Sequence, residues 1–150
     1  MNITTKGRYG LRAIVDLSIY EEEGPVSIHS IALRQGISDG YLEQLLGKLR
    51  KAGLIESVRG AAGGYVLAKD ASEISVGDIL RALEGSLQPF NCPGLEAEGM
   101  CSNEDGCVTK NVWKKIGKCI EDTVDHISLA ELKEEGTGMH GHCGCGQTAK

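Results

Sequence analysis

Cysteine is missing from the first 91 residues, and nowhere does the chain hold a run of about 18 uncharged apolar residues. The first absence takes a disulfide framework away from the N-terminal part. The second excludes a membrane span or anchor and predicts a protein with no membrane partner. The opening Met1–Tyr9 segment lacks the apolar core and small-residue cleavage site of a secretory signal, which predicts a cytoplasmic chain. In a reducing compartment the six cysteines are expected in metal ligation or thiol chemistry. An activated nucleophile, a phosphate loop and a general acid-base pair are also lacking, so the sequence supports no enzyme.

Positive charge is scarce as well: the net charge is -5, a poor start for a polyanion partner, because affinity for nucleic acid comes largely from Lys and Arg displacing counterions at phosphates. Its distribution changes that reading. Through Gly60 there are eight basic and seven acidic side chains, whereas the other ninety residues carry eight and fourteen. The negative excess therefore lies outside the N-terminal part. With 150 residues there is room for one compact domain and one extra element.

What is present is mostly helical in period. Thr4 or Thr5 can cap a first helix through about Glu22, with Tyr9, Ala13, Ile14 and Leu17 on its buried face. Ser27 caps a short helix, Ile28 to Gln35, which Gly36 breaks; Ser38 caps the next, Asp39 to Ala52, apolar at Tyr41, Leu42, Leu45, Leu46 and Leu49. Two helices separated by about three residues with a glycine between them form a helix-turn-helix pattern. Leu54–Val58 and Gly64–Ala68 are short and β-rich, and Arg59–Gly63 joins them as a hairpin tip, a wing. Arg59 beside Gly60, Gly63 and Gly64 suits close approach to a phosphate or insertion into a narrow minor groove. Ser75 or Ser72 opens a fourth helix that runs to Gly85. Val108–Ile127 reads as the longest helix, with a stripe of Val112, Ile116, Ile120, Thr123 and Ile127 that one small domain does not easily cover. A long helix in that place is a natural dimer arm, and dimers read half-sites about 34 Å apart.

The fold class is thus mostly α with a small β-hairpin wing: a winged helix-turn-helix domain over 1–85, a loop over 86–107, a dimerisation helix and a following short helix over 108–135, and a disordered tail over 136–150. In the loop, Cys92, Cys101 and Cys107 stand among glycines and acids. Three thiolates on one flexible loop favour an iron-sulfur cluster, with zinc second, because the loop lacks the Cys-x-x-Cys pair common in structural zinc sites. Cys119, in the long helix, reads as a small packing residue. His140, His142, Cys143 and Cys145 can chelate a metal, or be an unstructured tail with adventitious affinity.

The order of helix-turn-helix, Arg59 wing, three-cysteine loop and long helix resembles the iron-sulfur cluster regulator (IscR) family of bacterial transcription factors. The most specific stretches are Thr5-Lys6-Gly7-Arg8-Tyr9, Gln35-Gly36-Ile37-Ser38 with Tyr41-Leu42-Glu43-Gln44-Leu45, Val58-Arg59-Gly60 with Gly63-Gly64-Tyr65, and the cysteine loop. The resemblance implies a homodimer that binds double-stranded operator DNA and regulates, as a repressor by default, the genes of iron-sulfur cluster assembly. It places Ser38, Tyr41 and Gln44 near bases and Arg59 in the minor groove, and with Arg8, Lys48 and Gly60 these make up the expected DNA-binding set. It also makes Glu43 a discriminator between operator classes, according to cluster occupancy. The implied cluster is 2Fe-2S on Cys92, Cys101 and Cys107. The family's fourth ligand, a histidine three residues after the third cysteine, is replaced by Lys110, whose ammonium has no lone pair to donate. Glu104, Asp105, solvent, a tail histidine or a residue of the partner chain are alternatives. A DNA-binding thiol or zinc sensor without a cluster is the competing reading.

Overall fold

The computed structural model describes residues 3–90, 92 and 106–139. Helix α1, Thr5–Tyr20, starts where the Thr4 hydroxyl accepts the Lys6 amide at 3.2 Å and ends in a 3₁₀ turn, Glu21–Glu23. Ser27 caps α2, Ile28–Gln35, which stops at Gly36 in the left-handed region (φ 66), where a side chain would be strained. Ser38 accepts the Tyr41 amide to open α3, Asp39–Lys51. Strands β1, Ile55–Val58, and β2, Gly64–Leu67, pair antiparallel in a register from Ile55↔Leu67 to Val58↔Gly64, and Val26 bridges Tyr65. A 3₁₀ turn, Ala71–Glu73, leads to α4, Val76–Glu84, opened by a Ser75/Asp78 capping box. Two further helices follow: α5, Lys110–Asp125, and α6, Leu129–Met139.

Leu42, Leu45, Leu46 and Leu49 are the buried side of α3 and meet Ile14 and Leu17 of α1, Ile31 of α2 and Ile79 and Leu83 of α4 in one core. That core fixes the angle at which α3 leaves the domain. Leu129, fully buried, anchors α6 in it, and two backbone hydrogen bonds, Leu129 N–H to Ile74 O (2.8 Å) and Val76 N–H to Ile127 O (2.9 Å), tie the α5–α6 turn to the start of α4. The C-terminal helices are therefore built onto the winged domain.

Three cross-helix polar contacts hold the frame. The Glu84 carboxylate accepts from Thr4 N–H (2.9 Å), Thr4 Oγ1 (2.6 Å) and Gly7 N–H (2.8 Å), so α4 caps α1. A Cβ at Gly7 would lie 2.7 Å from Glu84 Oε1, which explains the glycine in Thr5-Lys6-Gly7-Arg8-Tyr9. Burial alone would raise the Glu84 carboxyl, but these donors and nearby Lys6 outweigh it and hold it below the usual carboxylate range. Arg34 of α2 clamps the buried Asp16 of α1, and Arg81 of α4 grips Asp125 of α5 through two hydrogen bonds of 2.7 and 2.8 Å.

Two boundaries differ from the sequence reading. The long helix covers 110–125 rather than 108–127 and is matched by α1, which also has 16 residues. The final helix does not yield to a tail at 136: it continues through Gly136, Thr137 and Gly138 to Met139. Gly136 is no breaker because it is a contact point, where a Cβ would stand 2.8 Å from Ile19 Cδ1 of α1. The apolar stripe of α5 also splits, with Val112, Ile116 and Thr123 exposed and Ile120 and Ile127 half-buried. No helix among the described residues is long and apolar enough to cross a membrane.

Candidate nucleic-acid interface

With its leucines buried, α3 presents Gly40, Glu43, Gln44, Gly47 and Lys51 on the other side. Glu43, Gln44 and Lys51 are exposed, and a Cβ added at Gly40 or Gly47 would meet nothing within 4 Å. Ser38 is exposed at the N-cap of the same helix, where its hydroxyl accepts the Tyr41 amide, and the Gln44 amide and the Glu43 carboxylate flank the unblocked helix backbone at Gly40 and Gly47. Tyr41 sits at the edge of this face, half-buried. Its ring meets Tyr9 edge-on at 6.2 Å and its hydroxyl lies 3.4 Å from Thr5 Oγ1, which ties α3 to α1. Arg8 is exposed on α1.

Lys48 departs from the expected DNA-binding set. Its Nζ donates to Leu83 O at 2.9 Å, and the residue is half-buried. Leu83 O is among the last carbonyls of α4, left unpaired by the helix and at the negative end of its dipole, so it draws the ammonium away from the exposed face. Lys48 is therefore a strut between α3 and α4.

Glycine within a helix lowers its stability by about 1 kcal/mol relative to alanine, and neither packing nor backbone angle demands one at 47. Close approach to a ligand surface would. Gly47→Ala should raise the unfolding free energy by about that amount while weakening operator binding. Denaturation curves and a binding isotherm check the two signs, and unchanged affinity would mean that this face does not meet DNA at position 47.

At the wing, Arg59 is exposed and has no partner among the described residues. Gly60 has φ 122, and Gly63 N–H returns to Gly60 O at 3.0 Å, closing the tip. A Cβ on Gly64 would collide with the backbone of Val26, so glycine there lets β2 lie against the segment that precedes α2. The wing and α3 are thus fixed on one scaffold.

Of the three loop cysteines, Cys92 and Cys107 are described, both partly exposed, and Cys101 lies outside the described residues, as do Glu104, Asp105, His140, His142, Cys143 and Cys145. The loop is anchored on α5 at both ends. At its entry Phe90 packs on Trp113 with ring centroids 4.3 Å apart and Gln88 Nε2 donates to Glu121 at 3.2 Å; at its exit Cys107 stands three residues before Lys110, the first residue of α5. Thr109 Oγ1 lies 3.4 Å from Cys107 Sγ. That hydroxyl, the backbone amides of Lys110 and Thr109 and the Lys110 charge hold the thiol below its ordinary value against a smaller opposing effect of burial. Among the described residues no three His, Cys, Asp or Glu side chains converge as a metal site. Cys119 is exposed on the outer side of α5 rather than packed within the chain.

A family model described as Rrf2, iron-dependent transcriptional regulator, matches residues 3–135. A relative from Serratia proteamaculans (strain 568), named HTH-type transcriptional regulator IscR, is 46% identical over 132 residues, covering 88% of this chain and 79% of its own. Among solved structures, T. potens IscR superposes with a TM-score of 0.72 at 46% identity, over 97% of this chain and 94% of that one. CymR, the global cysteine regulator of B. subtilis, gives a TM-score of 0.73 at 38% identity, over 90% and 98%.

Proposed function

We propose that this protein, which belongs to the Rrf2 family of transcriptional regulators, reads double-stranded operator DNA as a cytoplasmic homodimer and changes its operator preference with an iron-sulfur cluster held on the 86–107 loop. It is a DNA-binding transcriptional regulator and not an enzyme. The finer reading is repression of cluster-assembly genes, in keeping with the IscR name of its relatives. In this reading Ser38, Tyr41 and Gln44 address bases, Arg8, Arg59 and Gly60 address the backbone and minor groove, and Glu43 discriminates between operators. An exposed carboxylate on the face of α3 is repelled by phosphates and loses solvation in the groove unless a donor meets it.

The attachment of both ends of the cysteine loop to α5 carries the cluster reading. Cys92 lies two residues beyond Phe90 and Cys107 three residues before α5, and the Cys107 thiol is held below its ordinary value, which favours the thiolate form that binds iron. Cys92, Cys101 and Cys107 would hold the cluster, which supplies oxidant-sensitive iron-thiolate chemistry when bound. Lys110 cannot be the fourth ligand and is instead a countercharge to Cys107. The chain's own contribution is a path from loop to DNA. The loop leaves α4 at Gly85, next to Glu84, which caps α1, and Leu83, whose carbonyl holds Lys48 of the recognition helix.

Anaerobic purification with iron and sulfide analysis, followed by operator binding before and after cluster removal, tests this. The expected result is a coloured dimer whose operator preference shifts on removal. A colourless, zinc-loaded or cluster-indifferent DNA binder would overturn it in favour of a thiol or zinc sensor.

A further inference from the structure

Helix α5 opens against the rules that the other helices keep. Thr4, Ser27, Ser38, Ser75 and Ser128 each cap the helix that follows by accepting a first-turn amide. Thr109, at the head of α5, makes no such bond, and its hydroxyl lies 3.4 Å from Cys107 Sγ instead. The first turn also holds no acid, and none occurs in the sequence between Asp105 and Glu121. Lys110, Lys114 and Lys118 stand there in one row four residues apart, with Lys115 beside them. Lysine at the positive end of a helix dipole costs stability, and like charges four residues apart repel. Lys118 reaches Asp122 at 3.3 Å, but Lys114 and Lys115 are exposed and have no acidic partner among the described residues. A group at this end that takes negative charge on binding metal is Cys107, on whose sulfur the amides of Thr109 and Lys110 act.

We infer that the first two turns of α5 are a charge-gated segment, which opens readily while the loop is empty and closes when Cys107 holds metal as a thiolate. This rests on the cluster reading above and says what loading does to the chain. Three thiolates outweigh the positive charge of an oxidised 2Fe-2S core, so the loaded loop brings net negative charge to the lysine end of the helix. The sulfur of Cys107 then serves as the missing N-terminal anion, and the lysines, unfavourable before, become its counterions. The coupling is reciprocal: what loading gives the turns in order, the closed turns return as tighter loading. The gated turns also carry Trp113, the only tryptophan, whose ring lies 4.3 Å from that of Phe90, so their closing clamps the segment that leaves α4. A helix end that breaks local rules in this way is one kept for function at a cost in stability.

Hydrogen–deuterium exchange on the full-length protein tests this, with iron-loaded anaerobic samples set against samples stripped by a chelator. Peptides covering 110–118 should exchange about tenfold more slowly when loaded, over and above any change in the core helix α1. Lys114→Gln/Lys115→Gln removes the two charges that have no acidic partner, so the stripped variant should exchange more slowly than the stripped parent and the ratio between states should shrink severalfold. Lysines that merely solvate the surface would leave that ratio as it is. An unchanged ratio, or equal exchange in the loaded and stripped parent, would overturn the gating. Metal analysis of the same samples keeps the two readings apart. Zinc in place of iron, with the same protection on loading, would uphold the gating and overturn the cluster, and a chain that takes up neither metal would overturn both.

Discussion

Arg34→Met should lower the stability of the fold by about 3 kcal/mol, and more than removal of its partner does. Asp16 is 5% exposed, and its two oxygens accept from Arg34 Nε at 2.8 and 3.0 Å and from Nη2 at 2.8 Å. No other donor to it is present among the described residues, so loss of Arg34 strands a carboxylate between α1 and α2. Arg34 stands in a different position. Its side chain keeps 30% exposure and its guanidinium lies 3.9 Å over the Tyr20 ring, so in Asp16→Ala it can turn to water without leaving that ring, at a cost of about 1 kcal/mol. The double variant should be more stable than Arg34→Met alone, because it leaves no charge buried without a partner. Denaturant midpoints at one protein concentration measure all three, since the proposed dimer would make the midpoint concentration-dependent. Equal and additive single effects would mean that the burial of Asp16 does not set the cost.

That pair also marks where the sequence stops being legible. Capping serines and threonines followed by helical apolar spacing are local signals: Ser27 and Ser38 act as the N-caps expected of them, and Thr4 and Ser75 are the ones used from the pairs Thr4 or Thr5 and Ser75 or Ser72. The hairpin was legible for the same reason: two β-rich runs with glycines between them admit little else. Asp16–Arg34 and Glu84–Thr4 join residues 18 and 80 positions apart, and no local period encodes them. One signal was available, since Asp16 is seven residues after Tyr9 and hence on the buried side of α1, where a charge demands a partner. Lys48 shows how packing adds what spacing does not encode. Helical spacing places it beside Gln44, but the packing of α4 decides where its ammonium goes. At 136–139 the glycines suggested a tail, because a glycine chosen for close contact with Ile19 looks the same in sequence as one that ends a helix.

Arg59→Ala should weaken operator binding roughly ten- to a hundredfold, the range for losing an arginine contact of about 1 to 3 kcal/mol, and should reduce the salt dependence of binding by about one phosphate equivalent. The effect is expected to be large because the wing holds this arginine out with little freedom. Gly63 closes the tip onto Gly60, Gly64 lets β2 press against Val26, and Arg50 of α3 reaches Ser57 of β1 at 3.5 Å, so the wing is tied to α3. Arg59→Lys separates the two modes of contact. A phosphate accepts an ammonium nearly as well as a guanidinium, so a backbone contact would be largely rescued, whereas a guanidinium seated in a narrow minor groove would be rescued poorly. Lys48→Ala is the internal control: its ammonium is on Leu83 O, so the salt dependence should stay that of the parent even if affinity falls as α3 loosens. A parent-like salt slope in Arg59→Ala would show that DNA lies on a different face from the one formed by α3 and the wing, whereas an equal slope loss in Lys48→Ala would show that the Lys48 ammonium leaves Leu83 O for a phosphate.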